Sequence, residues 1–375
     1  MDLERIKNGL QNRAMKYINE RRGWRTNRKI VVIESDDWGS IRMPNKKVYD
    51  KMLASGLRVD KCNYCKYDTL ASKDDFEQLY KVLIKHTDSK GNHPIITANT
   101  IVANPNFEEI RKNNFKEYFY EPFTETLKKY PNHSFGSWQE GIDSKLFFPQ
   151  FHGREHLNVA RWMLALQNES KEVCRAFNNK FFGISKTISN ENNPSFMAAM
   201  DTDNIASQEI VNNSIREGLK MFEEIFGYKS ESFIAPNYVW NKEVEDVLFE
   251  ENIKYLQGGY IQKVPQKGSN YNYTGKRNKN NQIYLTRNVL FEPSMLADKD
   301  WVNTSLLEIE KSFKHQKPAI ICSHRVNFIG GVFEENRTKT LKLLDELLFK
   351  SLKKWPSIEF MTSVELGDLI KNGEL

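Results

Sequence analysis

The sequence predicts an α/β fold, a parallel sheet curled into a barrel or part of one. Three observations carry this. Short apolar runs recur from near residue 29 to near residue 361, and amphipathic segments of helical period separate most of them. The clearest run, KIVVIES (Lys29 to Ser35), is continuously apolar at its centre rather than alternating, as a strand buried on both faces must be. No stretch of linker composition divides the 375 residues, so a single large barrel with insertions accommodates the length.

The elements follow in order. Ser72 with Asp75 reads as a capping box for the periodic segment Phe76 to His86. PIITANTIV (Pro94 to Val102) is the next strand, and Asn104 before Pro105 reads as a helix start. LFFPQFH (Leu146 to His152) is a third strand, with a helix over Leu157 to Leu166. Ser207 opens a long helix that turns Val211, Ile215, Leu219, Phe222 and Phe226 inward and stops at Gly227. ESFIAP, KYLQG, QIYLT, PAIICS and SIEFM continue the strands, with helices near Glu243–Glu251, Leu306–His315 and Thr338–Leu352. Residues 258–281, rich in Gly, Asn, Lys and Tyr, form a long insertion. Residues 1–28 form an N-terminal helical extension, in which Leu3, Ile6, Leu10, Met15 and Ile18 share a face suited to docking on the barrel of residues 29–375.

Composition narrows the function. Lys and Arg number 55 against 49 Asp and Glu, a net +6 spread along the chain, and the nearest basic cluster is the short KRNKNN loop. Nucleic acid is therefore not the expected partner. The N-terminus has no apolar core of signal-peptide length and no run approaches a membrane span, so a cytoplasmic protein is expected. Four cysteines make no disulfide framework; Cys62 and Cys65 form a lone CxxC without the second pair of a structural zinc site, and reduced bystanders are expected.

In parallel α/β folds the reactive groups stand just beyond the carboxyl ends of strands. Those points hold Asp36-Asp37-Trp38-Gly39, His152-Gly153-Arg154-Glu155-His156, Ala235-Pro236-Asn237 and His324-Arg325. One aspartate and two histidines make the set that holds Zn²⁺ or a similar divalent ion with positions left open. A second aspartate and a third histidine remain for proton transfer. Trp38, Tyr238, Trp240, Tyr260, Tyr271 and Tyr273 are candidate faces for a sugar.

These motifs resemble the NodB-homology polysaccharide deacetylases, carbohydrate esterases on a distorted (β/α) barrel. VIESDDWG (Val32 to Gly39) matches their first motif, HGREH the spacing of their His-Ser/Thr-x-x-His motif, IICSH their final strand ending in His, and FMTSVEL their closing segment. The resemblance implies Asp36 as base, Asp37, His152 and His156 as ligands of a divalent metal, and His324 as general acid. Zn²⁺ is the default ion, with Co²⁺, Mn²⁺ or Ni²⁺ as alternatives. It implies hydrolysis of N- or O-acyl groups on a carbohydrate, which a cytoplasmic site would make a polysaccharide precursor, and a backbone oxyanion donor near Trp38 or Gly39.

The chain also departs from that pattern. Ile234 stands where the third motif has its base-orienting Arg, leaving Arg42, Arg154, Arg287 or Arg325 to replace it, and the fourth motif has no counterpart. Trp38, Arg154, Pro236, Asn237, Tyr238 and Arg287 are the expected substrate-binding residues. The 115 residues from Asp37 to His152 imply inserted helices, and TRNVLFEP (Thr286 to Pro293) suggests a divergent branch. Three other readings compete: a non-catalytic carbohydrate-binding or scaffold relative; a zinc metallopeptidase using His-x-x-Glu-His with Glu155 as base; and a glycosidase pairing Asp36 with Glu292 or Asp201.

Overall fold

The structure, a computed structural model, describes residues 21–373 except 131, 133, 134 and 192. The amphipathic face from Leu3 to Ile18 lies outside the described residues. Thirteen strands appear among the described residues: β1 (Lys29–Trp38), β2 (Ile96–Ile101), β3 (Ala103–Pro105), β4 (Tyr120–Pro122), β5 (Phe147–Gly153), β6 (Ser232–Ile234), β7 (Tyr255–Gly258), β8 (Ile261–Val264), β9 (Gly268–Tyr271), β10 (Ile283–Thr286), β11 (Val289–Leu290), β12 (Ala319–His324) and β13 (Ile358–Met361). Nine form one sheet in the order β10-β7-β6-β5-β2-β1-β12-β11, with β13 also paired to β1. All its pairings are parallel.

The edge strands of that order, β10 and β11, are consecutive in the chain and separated only by Arg287 and Asn288. The Arg287 amide donates to Gly258 O on β7 and the Asn288 amide to Ile320 O on β12, so these two residues step from one edge of the curled sheet to the other. The sheet is thus a parallel half-barrel, consistent with a distorted barrel, and two residues cross the seam between its edges.

Strand periodicity sorts β1 between two environments. Val31 and Ile33 pack into the large cluster under the helices, whereas Ile30 and Val32 pack with Tyr255, Ile283, Leu285 and Ile320. Glu34 and Asp36 continue the even series and are fully buried. The helices obey their local signals: Ser72–Asp75 and Thr362–Glu365 are complete capping boxes, and Gly227 ends Ile205–Phe226 with φ 75°.

Two expectations need correction. Asn104 caps no helix; it is buried, accepts the Ile41 amide and donates to Gly39 O, and the helix begins at Phe107 under the Asn106 cap. The helix expected from Leu157 starts at Val159, capped by Asn158. The 258–281 insertion is built around the antiparallel hairpin β8–β9. No helix among the described residues is long and apolar enough to cross a membrane.

Candidate active site and metal centre

Two bulges build the site. The β1–β2 register shifts between Ser35 and Trp38, and Asp37 takes φ 73°, so adjacent aspartates reach the same centre instead of opposite faces of the sheet. The β2–β5 register likewise shifts between Thr100 and Ile101, leaving His152 as the extra residue on β5. Gly153 follows at φ 134°, a conformation that a side chain would strain, and the chain turns so that His156 comes back toward β1.

Asp37 Oδ1 lies 3.4 Å from His152 Nε2 and 3.2 Å from His156 Nε2, and all three residues are buried. Asp37 Oδ1, His152 Nε2 and His156 Nδ1 have no hydrogen-bond partner. The His152 Nδ1–H donates to Ile234 O at 2.8 Å, since a carbonyl only accepts, and this hydrogen bond turns Nε2 inward. Burial holds His156 down at about 3, so that ring is neutral. Asp37 Oδ1 and His152 Nε2, buried, close together and without hydrogen bonds, with His156 beside them, are what a divalent cation would satisfy, and the donor set fits Zn²⁺.

Beside this triad lies a charge network. Arg287 donates Nη1 and Nη2 to the two oxygens of Asp36 at 2.7 and 2.5 Å, and Nε to Glu34 at 2.5 Å. Asn99 adds a bond to Asp36 Oδ1 at 2.7 Å. Burial alone would raise Asp36; the charge and hydrogen bonds of Arg287, aided by His324, outweigh it and hold Asp36 at about 2. Of the four arginines considered for the missing one, Arg287 is the one that bonds Asp36, and it lies between β10 and β11 rather than on β6.

His324 ends β12 with Nδ1 2.5 Å from Glu292 Oε1 and Nε2 3.6 Å from Asp36 Oδ2. Burial alone would lower it, but Glu292 and Asp36 carry it well above the ordinary histidine value, leaving an imidazolium. Asn327 holds the other Glu292 oxygen at 2.7 Å. Glu292, Cys322 and His324 also approach as ligand-type residues, but here the histidine and carboxylate bond each other, and Cys322 Sγ meets Arg287 and Tyr238.

The structure separates the remaining expected residues. Tyr238 joins the network, its hydroxyl accepting from Arg287 at 3.0 Å; Pro236 is buried beneath it and Asn237 is exposed at φ 58°. Trp38 is not a sugar face: it is 1% exposed within a cluster of Phe76, Trp138, Phe147 and Phe328, and its indole N–H bonds Ser35. Trp240 is likewise core, bonded to Glu245. Arg154 is ion-paired with Glu155 and Glu217 and stacks on Tyr120, so its guanidinium is committed to other elements. Tyr260 and Tyr273, without Tyr271, line a cavity of about 300 Å³ that reaches Tyr238, Arg287 and Cys322. The peptidase reading loses its helix and its base: His152 is in a strand, His156 precedes any helix, and Glu155 is bound to Arg154. Asp201 pairs with Arg161, not with the site.

A model of one protein family, described as glycosyl hydrolase family 57, matches residues 66–296, more than half of the chain. The chain belongs to glycosyl hydrolase family 57. That membership gives the chain a carbohydrate-active, hydrolase-like fold, and the family shown by sequence is this one rather than the NodB group. The matched residues of this family 57 chain include His152, His156, Arg287 and Glu292, while Asp36, Asp37 and His324 lie outside them. Comparison with curated proteins returns no match.

Similar solved structures include the 4-alpha-glucanotransferase of Thermococcus litoralis, at 11% identity and a TM-score of 0.46 over 90% of this chain. The chain spans 40% of that enzyme's length. Another, titled a probable polysaccharide deacetylase from Pseudomonas aeruginosa PAO1, has 8% identity and a TM-score of 0.48, covering 93% of this chain and 92% of its own. A structure titled PuuE allantoinase has 8% identity and a TM-score of 0.46, covering 94% and 93%.

Proposed function

We propose that this family 57 chain is a metal-dependent deacetylase that hydrolyses N- or O-acyl groups on a carbohydrate, with a polysaccharide precursor as the substrate class. The observation that carries the reading is the juxtaposition of the buried Asp37–His152–His156 triad, whose Asp37 Oδ1 and His152 Nε2 lack hydrogen bonds, with an ionised Asp36 and a protonated His324. A divalent ion on that triad, Zn²⁺ by default, would supply Lewis acidity toward an acyl oxygen and lower the pKa of water toward neutrality.

The chain's own groups then divide the proton work. Asp36 Oδ2 takes the proton of the attacking water; Asn99 on Oδ1 and Arg287 on both oxygens keep the carboxylate from swinging away. His324 Nε2 gives its proton to the departing nitrogen or oxygen while Nδ1–H stays on Glu292. Tyr238, hydrogen-bonded to Arg287, lies beside the base.

Glycoside hydrolysis is the second reading, favoured by the family description. It needs one carboxyl held protonated as acid. Asp36 is held ionised by Arg287, and Glu292 lies against the imidazolium of His324, so neither suits that role. The test is zinc-loaded protein assayed for acetate release from N- and O-acetylated sugars beside cleavage of aryl glycosides. Acetate release lost in Asp36→Asn and His324→Ala is the expected result. Glycoside cleavage without acetate release would replace this reading by the second.

A further inference from the structure

We propose that Arg42 binds an oxyanion, a carboxylate or a phosphate carried by the carbohydrate, and so makes an acidic sugar the substrate. The proposal rests on the reading of the neighbouring centre as the place of hydrolysis. Five arginines are buried among the described residues. Four have carboxylates: Arg154 has Glu155, Arg287 has Glu34 and Asp36, Arg325 has Asp68, and Arg337 has Asp75. Arg42, 8% exposed, has no carboxylate partner among them: only the sulfur of Cys65 meets its side chain as a hydrogen-bond partner, and its Nε is enclosed without one. A buried cation left uncompensated is costly, and such costs are kept where a ligand repays them.

The backbone around Arg42 is fixed. The Ile41 amide donates to Asn104 and the Met43 amide to Asp68 O, pinning the residues on both sides. The guanidinium lies over the Tyr64 ring, 5.2 Å from its centroid, and the His324 ring meets the same tyrosine edge-on at 5.3 Å. One tyrosine thus touches both this cation and the proton donor. The acidic groups that act most on Arg42 are Cys65, Cys62, Asp37 and Asp68, and Tyr64 and His156 also lie near it. Asp68 is taken by both forks of Arg325 at 2.9 Å, Asp37 Oδ1 faces the two histidines, and Cys65 gives its S–H to Gly183 O. No carboxylate is left for Arg42. A guanidinium fork matches carboxylate and phosphate oxygens, and the Tyr64 face gives a sugar ring an apolar wall.

The test measures binding, so it does not depend on turnover. Affinities for D-glucuronate, D-glucose 1-phosphate and neutral D-glucose are determined by calorimetry on zinc-loaded wild type, Arg42→Gln and Arg42→Lys, with zinc content and Tm read on the same samples. One acidic sugar is expected to bind at least tenfold tighter than glucose, and which one identifies carboxylate or phosphate. Arg42→Gln should erase the preference with zinc content and Tm little changed, because no carboxylate is left buried without its cation; Arg42→Lys should keep part of it. Equal binding of the three sugars, a preference that survives Arg42→Gln, or a lowered Tm with unchanged binding would each overturn the proposal. An Arg42-dependent preference in protein that holds no zinc would sustain it while removing the metal-dependent reading.

Discussion

Asp36 Oδ2 and His324 Nε2 face each other at 3.6 Å, and each is backed by a partner of opposite charge. Arg287 stands behind the aspartate and Glu292 behind the histidine, both from the short segment that crosses the barrel seam and enters β11 and the loop after it. The pair is thereby held as carboxylate and imidazolium together, the states a base and an acid need at the start of a turnover.

The pH profile follows from that. His324 is raised because Glu292 and Asp36 outweigh its burial, so its proton is present at neutral pH and is lost only well above the ordinary histidine range. In Glu292→Gln the raising charge is gone, and the alkaline limb of kcat should move to lower pH. A limb that stays in place would detach Glu292 from the acid's ionisation.

Asp36→Asn should keep the fold and lower kcat by about 10²–10⁴-fold. Circular dichroism and steady-state acetate release on the same preparation decide it; near-normal turnover removes Asp36 from the mechanism.

Removing Arg287 leaves Glu34 and Asp36 as buried carboxylates without their cation. Arg287→Met should cost about 3–5 kcal/mol of stability as well as activity. Denaturant unfolding measures the first, and an unchanged midpoint would mean that the two carboxylates do not depend on it.

Metal content separates the catalytic readings from a scaffold role. About one zinc per chain is expected for the wild type, and none for His152→Ala or Asp37→Ala, since three protein ligands are what such a site uses. Zinc should raise the wild-type Tm and leave that of His152→Ala unmoved. Wild-type protein that binds no divalent ion would turn the reading toward carbohydrate binding.

Trp38 gives the reverse pattern. Its ring fills the core among Phe76, Trp138 and Phe147. Trp38→Ala should cost about 3–5 kcal/mol of stability. Trp38→Phe should restore most of the stability with KM unchanged; a raised KM in that variant would return Trp38 to the substrate.

Much of the fold was legible because local signals and tertiary demands agree. The apolar run of β1, the Ser72 capping box and the Gly227 stop each state one conformation, and the structure adopts it. The aspartates and histidines were legible from their place at strand ends, and the structure gathers Asp36, Asp37, His152, His156 and His324. What the sequence hid was pairing. Glu34 looked like one polar residue in a strand, although Ile30, Val32, Glu34 and Asp36 share the period-two series of one face. Glu292 lay inside TRNVLFEP without a motif, and only the crossing of the seam brings it to His324. Trp38 and Arg154 misled because position beyond a strand end does not fix side-chain direction: a bulge sent Asp37 inward, and Trp38 packs in the core.

The two-residue crossing at Arg287 and Asn288 has a consequence for synthesis of the chain. As the polypeptide leaves the ribosome, Glu34, Asp36, Asp37, His152 and His156 all emerge before the cation that ionises the base. Until residue 287 is out, the sheet lacks its join and two acidic groups destined for burial lack their counter-charge; until residue 324 is out, the proton donor and the strand that carries it are missing. Nascent chains ending before Thr286 should expose Glu34 to water and remain open to proteolysis, so closure of the barrel and activation of its carboxylate are one late event in the life of the molecule.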